Sequence, residues 1–189
     1  MIFKKTYPLS LVFFYFFAIM ISSAKAQDTE NSTFTIASEQ PTIYVCDWLV
    51  TADPFPEDSL INVPDSLWIN IHQQPDINKY TEGNWLLKQE VYVRDSINIV
   101  YGFFPWSLTS SYIIYWDGKE VGRNGKLGVS ETEEVPGLLD YYIAILPQQL
   151  KPGSHTLMLR LSNYHNKDEW NWYYGGVTIG PYGKLKEIF

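Results

Sequence analysis

A single cysteine, Cys46, stands in 189 residues, so no internal disulfide can form and the core alone must hold the fold. Histidine is nearly as scarce. His72, His155 and His165 are spread without a metal-ligand spacing, and neither a metal nor any other cofactor is expected. No Gly-x-Ser-x-Gly elbow is present to raise a nucleophilic serine, although Ser154 beside His155 and Ser162 near His165 put both residue types close in sequence. The glycine-rich stretch 122–128 lacks the Gly-Lys-Ser/Thr ending that holds a nucleotide phosphate, and reads as a turn. Positive charge is also in short supply, with 14 Lys and Arg against 21 Asp and Glu. Setting aside Lys4, Lys5 and Lys25 in the first 26 residues leaves 11 bases against the same 21 acids, a net charge of −10 in place of −7. Such a surface repels phosphate backbones and anionic lipid, which excludes nucleic acid and favours neutral ligands or cationic surfaces.

The one long apolar run is at the start. Residues 11–21 are unbroken apolar, preceded by Lys4 and Lys5 and followed by Ala24-Lys25-Ala26. Eleven residues fall well short of the roughly 20 that span a bilayer, and the flanks match a secretory signal peptide cut near Ala26. Periplasm or the outer surface is the expected compartment.

The full chain is 46% hydrophobic and 16% aromatic, a composition for a packed domain. Residues 27–41 are polar and read as a flexible lead-in, with order expected only where Phe34 and Ile36 alternate with threonines. The sandwich itself is expected over 42–183, with 184–189 as a short tail. Stretches 43–50, 85–94 and 96–104 carry the branched and aromatic side chains of strands. Residues 111–116 lead into Asp117-Gly118, a hairpin turn pair, and 119–123 return. In 155–161 the leucines at 157, 159 and 161 alternate, as on the buried face of a core strand. His155, beside it, is expected at the surface. Several short strands with Gly and Pro punctuation and no long helical periodicity predict an all-β fold, an antiparallel β-sandwich.

Four motifs in order strengthen this. Glu82-Gly83-Asn84-Trp85-Leu86-Leu87-Lys88, Tyr115-Trp116-Asp117-Gly118-Lys119-Glu120-Val121-Gly122, the stretch 150–163 with its Pro-Gly and closing Ser162-Asn163, and Tyr174-Gly175-Gly176-Val177 resemble the galactose-binding-like jelly roll. Two branches of that superfamily are similar. One is the sugar-binding domain of family-two glycoside hydrolases. The other is the extracellular sensor domain of Bacteroidetes membrane receptors of the histidine kinase type, favoured by Gly102-Phe103-Phe104-Pro105, by the Gly122-Arg123-Asn124-Gly125 turn with Gly128, and by Ser162-Asn163-Tyr164-His165. Leu87 stands where the signature commonly has Arg. The resemblance implies a noncatalytic periplasmic ligand-binding or sensory input module, truncated or split from a receptor, with a membrane signalling partner. The alternative it implies is a carbohydrate-binding module or fragment of a family-two glycoside hydrolase. Neither makes the chain itself an enzyme.

Candidate binding residues are Arg123, Asn124, Asn163, His165, Trp170 and Trp172. The run Trp170-Asn171-Trp172-Tyr173-Tyr174 supplies flat apolar rings for the C–H face of a pyranose, and Asp168 and Glu169 supply acceptors for its hydroxyls. Core packing of the same rings is the competing reading, and the sequence leaves both open. Glu131, Glu133 and Glu134 are read as an acidic surface loop rather than as half of a hydrolytic carboxylate pair. In 103–106 the phenylalanines are expected in the core and Trp106 at an edge.

Overall fold

The structure, a computed structural model, describes residues 34–53, 63–73, 82–106, 108, 111–139, 141–165 and 175–188. The first 33 residues, where a signal peptide is expected, and Trp170 and Trp172 lie outside them. Eleven strands form two sheets in the order β1 (Phe34–Ile36), β2 (Ile43–Val45), β3 (Leu49–Ala52), β4 (Ile69–Asn70), β5 (Gly83–Val93), β6 (Tyr101–Trp106), β7 (Ser111–Trp116), β8 (Lys119–Asn124), β9 (Ile143–Ile145), β10 (Gly153–Asn163) and β11 (Gly176–Pro181). The larger sheet runs β4-β3-β5-β10-β7-β8, and the smaller runs β2-β11-β6-β9. All pairings are antiparallel except that of β1, which lies parallel to the last three residues of β5. The expected all-β sandwich is the observed fold.

Alternation builds the core. Leu157, Leu159 and Leu161 of β10, Leu87, Val91 and Val93 of β5, and Tyr112, Ile114 and Trp116 of β7 face the smaller sheet, which contributes Val45, Phe103, Ile143, Val177 and Ile179. Phe103 and Phe104 are buried as expected, while Trp106 is half-buried and stacks on Tyr44 at 4.6 Å between ring centroids. The opposite face of the larger sheet carries a second, smaller cluster: Leu86, Ile113, Tyr115 and Met158, covered by Val63, Trp68 and Leu127. That large sheet is therefore apolar on both sides over part of its width, and the segments that cover it become part of the fold.

The Asp117-Gly118 hairpin forms as read. Both residues have positive φ, 51° and 72°, the two left-handed positions of a tight primed turn. The turn is tied to β10, because Asp117 Oδ1 accepts from Thr156 N–H at 3.0 Å. His155 departs from the surface position expected for it. Its side chain is only 10% exposed, stacks on Trp116 at 4.9 Å, and holds its two ring nitrogens 2.7 Å from Asp117 Oδ2 and 2.6 Å from Lys151 O. A ring with an apolar face and two polar edges fits a place where a core strand meets a turn.

Four boundaries differ from the sequence reading. The stretch 43–50 is two strands in different sheets, with Cys46-Asp47-Trp48 crossing between them. Residues 94–100 are a connection, and the strand after them begins at Tyr101. β1 (Phe34–Ile36), in the stretch where order is expected, joins the larger sheet, so the sandwich takes in residues before the expected start at 42, with Ile36 buried against the main core. The tail is helical: α1 (Tyr182–Ile188) buries Leu185, keeps Lys184, Lys186 and Glu187 exposed, and is joined to the sandwich by Tyr182 N–H donating to Val100 O at 3.0 Å. Among the described residues no helix is long and apolar enough to cross a membrane.

Candidate functional site

The antiparallel pairing of β5 with β10 runs the length of the sandwich, from Gly83 opposite Asn163 to Val93 opposite Gly153. The end holding Gly83 and Asn163 also receives the start of β7, the end of β8 and the start of β11. This loop end collects four of the six predicted binding residues, and the other two, Trp170 and Trp172, follow His165 in a segment outside the described residues.

The four play different parts. Arg123 is exposed on β8, opposite Ile113, and its Nε donates to Glu120 Oε1 at 2.8 Å. Asn124 is buried, with Nδ2 donating to Leu138 O and Oδ1 accepting from Leu138 N–H, both at 2.8 Å. Its amide thus staples the loop 125–138 to the end of β8, a scaffold role visible in the geometry. Asn163 closes β10 and is buried. His165 lies just beyond it, with about a third of its side chain exposed.

What holds His165 and the backbone just past Asn163 is Glu134, a residue the sequence places among surface acids. Its side chain is completely buried. Oε2 and Oε1 accept from Tyr164 N–H at 3.1 and 3.3 Å, and Oε1 lies 3.1 Å from His165 Nδ1. A carboxylate out of water is stable only when its lone pairs are taken up in this way. Glu134 reaches that position because the loop crosses itself at Gly128: a Cβ there would stand 2.3 Å from Glu134 N. Gly128 N–H is in turn aimed at Ser162 Oγ at 3.3 Å, and Ser162 Oγ is 2.7 Å from Ser111 Oγ, both serines being buried.

The chemistry open to this arrangement follows from the donor count. With Nδ1–H donating to Glu134, the second ring nitrogen of His165, Nε2, is left as its other hydrogen-bonding group, on a side chain about a third exposed. The imidazole is held by a buried anchor, so it offers a fixed hydrogen-bonding edge with little rotamer entropy left to lose. Among the described residues no group of three or more His, Cys, Asp or Glu side chains is arranged to hold a metal ion.

Cys46 lies in the crossing between β2 and β3. Burial, then the charge of Asp47, pushes its thiol up to about 11. At neutral pH its thiolate fraction is then roughly a hundredfold below that of a thiol at its ordinary value. Alkylation by iodoacetamide at neutral pH is expected to run about a hundredfold slower than for free cysteine and to accelerate as pH rises toward that value. A rate equal to that of free cysteine would contradict it.

No family model and no curated protein matches this chain. Solved structures do. A calcium-binding mutant of Bacteroides uniformis beta-glucuronidase 2 is 16% identical, with a TM-score of 0.51, over 74% of this chain and 18% of its own. A glycosyl hydrolase family 2 member from Bacteroides cellulosilyticus is 14% identical, also with a TM-score of 0.51, over 74% of this chain and 20% of its own. Across the first three structures the chain spans between 18% and 31% of the other protein's length. The likeness is one of fold: the sandwich built here is also a part of much larger family-two glycoside hydrolases.

Proposed function

We propose that this chain is a noncatalytic carbohydrate-binding sandwich of the kind carried by family-two glycoside hydrolases, contributing affinity for a neutral sugar rather than bond cleavage. The observation that carries the reading is the anchored edge at the loop end, where buried Glu134 fixes His165 and the Tyr164 amide. The sequence continues from there into Trp170-Asn171-Trp172, which supplies the rings that pyranose recognition needs. Sugar binding asks for that mixture of fixed polar edge and flat apolar surface. The fold likeness to family-two enzymes supports the same reading, whereas input to a membrane receptor has only the motif resemblance behind it.

The test uses tryptophan fluorescence of the chain titrated with methyl glycosides of glucose, galactose and mannose. A saturable change with at least one of them is expected, with affinity about tenfold weaker in His165→Ala and in Trp170→Ala. Glu134 retains the Tyr164 amide in His165→Ala, and an unchanged near-ultraviolet circular dichroism spectrum checks that this variant folds. No response to any of the three, or undiminished binding in both variants, would overturn the reading. Hydrolysis of a chromogenic glycoside by the purified chain would overturn its noncatalytic part.

A further inference from the structure

A cavity lies at the other end of the sandwich, separated from His165 by the length of β5 and β10, roughly 30 Å for strands of this length. Its volume is about 200 Å³, between the turn that follows β1 and the connection from β5 to β6. Ile36, Ala37, Pro41, Ile97, Ile99 and Tyr101 give it apolar walls. Asp95 is the one charged residue in its lining, with Ser38 beside it.

The carboxylate is held on one side only. Asp95 Oδ2 accepts from Ser38 N–H at 2.7 Å, from Ser38 Oγ–H at 2.9 Å and from Arg94 Nη2 at 3.3 Å. These contacts, the Ser38 amide first, keep its carboxyl below the usual carboxylate range and therefore ionised at neutral pH. Oδ1 makes no hydrogen bond within the described residues. Arg94 is shared with Glu39, so the group of three carries one net negative charge at the mouth of the cavity. Ile99, 55% exposed, extends the apolar wall outward.

We infer that this cavity binds a small organic ammonium ion, its charged head on Asp95 and its compact apolar body against Ile36, Ile97, Ile99 and Tyr101. A neutral ligand of the same shape would gain the walls but not the charge-assisted bond. An anionic one would meet the net negative charge directly. The acidity of the whole chain, −7 overall, favours the cation at long range as well. Nothing in this inference depends on sugar binding at the loop end.

Benzylammonium, benzyl alcohol and benzoate differ mainly in head-group charge, and they separate the contributions. Titrated into the ¹⁵N-labelled unaltered chain, benzylammonium is expected to shift the amides of Ser38, Asp95, Ile97 and Ile99 and to saturate. Benzyl alcohol should bind about tenfold more weakly, and benzoate not at all. Asp95→Asn should lower benzylammonium affinity about tenfold and leave the benzyl alcohol response unchanged, with retention of the remaining amide spectrum as the check that it folds. If that variant does not fold, the charge series on the unaltered chain decides. Equal affinity for benzylammonium and benzyl alcohol, shifts centred elsewhere, or no shifts would each overturn the inference.

Discussion

Replacing Trp48 by alanine is expected to lower the unfolding free energy by about 3–5 kcal/mol, the range for removing a fully buried large ring. Trp48 has no exposed surface and sits in the crossing that carries the chain from the smaller sheet into the larger one. Its Nε1–H donates to Gly175 O at 3.0 Å, which ties that crossing to the residue leading into β11, and its own carbonyl accepts from Ile71 N–H at 3.1 Å. Alanine would leave a cavity between the sheets and deprive a buried carbonyl of its donor. Trp48→Phe separates these effects, keeping most of the ring but losing the donor, at a cost of about 1–3 kcal/mol. Denaturant unfolding followed by near-ultraviolet circular dichroism measures both. A loss below about 1 kcal/mol for the alanine variant would contradict the role given to this residue.

The second large effect is expected at Asp53. Its carboxylate is completely buried and bonds Arg160 Nε, whose side chain is 16% exposed on the outer face of the larger sheet between Leu86 and Ile113. Removing the carboxylate takes from the mostly buried Arg160 guanidinium a charged partner that water replaces only in part, and Asp53→Ala should cost about 3 kcal/mol. Replacing both members by apolar residues of similar length removes both charges at once. Asp53→Leu with Arg160→Met is therefore expected to recover most of the loss, since neighbouring Leu86, Ile113 and Met158 already form an apolar cluster. A double-mutant cycle on unfolding free energies checks this. Additive losses in the double variant would mean that the two side chains act separately.

Patterns local in sequence were legible before the structure. The leucines at 157, 159 and 161 announce a buried face because strand periodicity is two, and all three are buried. Asp117-Gly118 announces its turn through the backbone angles those residues tolerate. The division of residues 43–50 between two sheets was not legible. Ile43, Val45 and Val50 are equally apolar, and only the partners of each, β11 for one strand and β5 for the other, distinguish them. Nor could the helix over the tail be read, since among its described side chains only Leu185 is fully buried and no repeat displays it.

The loop end shows the same limit more sharply. Motif and composition point to Arg123, Asn124, Asn163 and His165 as candidates, but they identify residues and not partners. Glu134 was missed because Glu131 and Glu133, its neighbours, are indeed exposed, and because its own partners are Tyr164 and His165, thirty residues further along. The available signal was Gly128, whose lack of a side chain permits the crossing that buries Glu134. Without the fold, that glycine is indistinguishable from those of an ordinary turn. Asn124 illustrates the converse: a polar residue in a suggestive place whose amide is bonded on both its nitrogen and its oxygen to the loop it staples.

A titration of the ¹⁵N-labelled chain with a neutral methyl hexopyranoside, read amide by amide, tests the functional account most directly. Saturable shifts centred on Gly128, Glu134, Tyr164 and His165, with the β5 and β10 amides near Val93 and Gly153 unmoved, are the predicted result. Shifts confined to the far end of the sandwich, or a spectrum that no sugar changes, would contradict carbohydrate binding at the loop end.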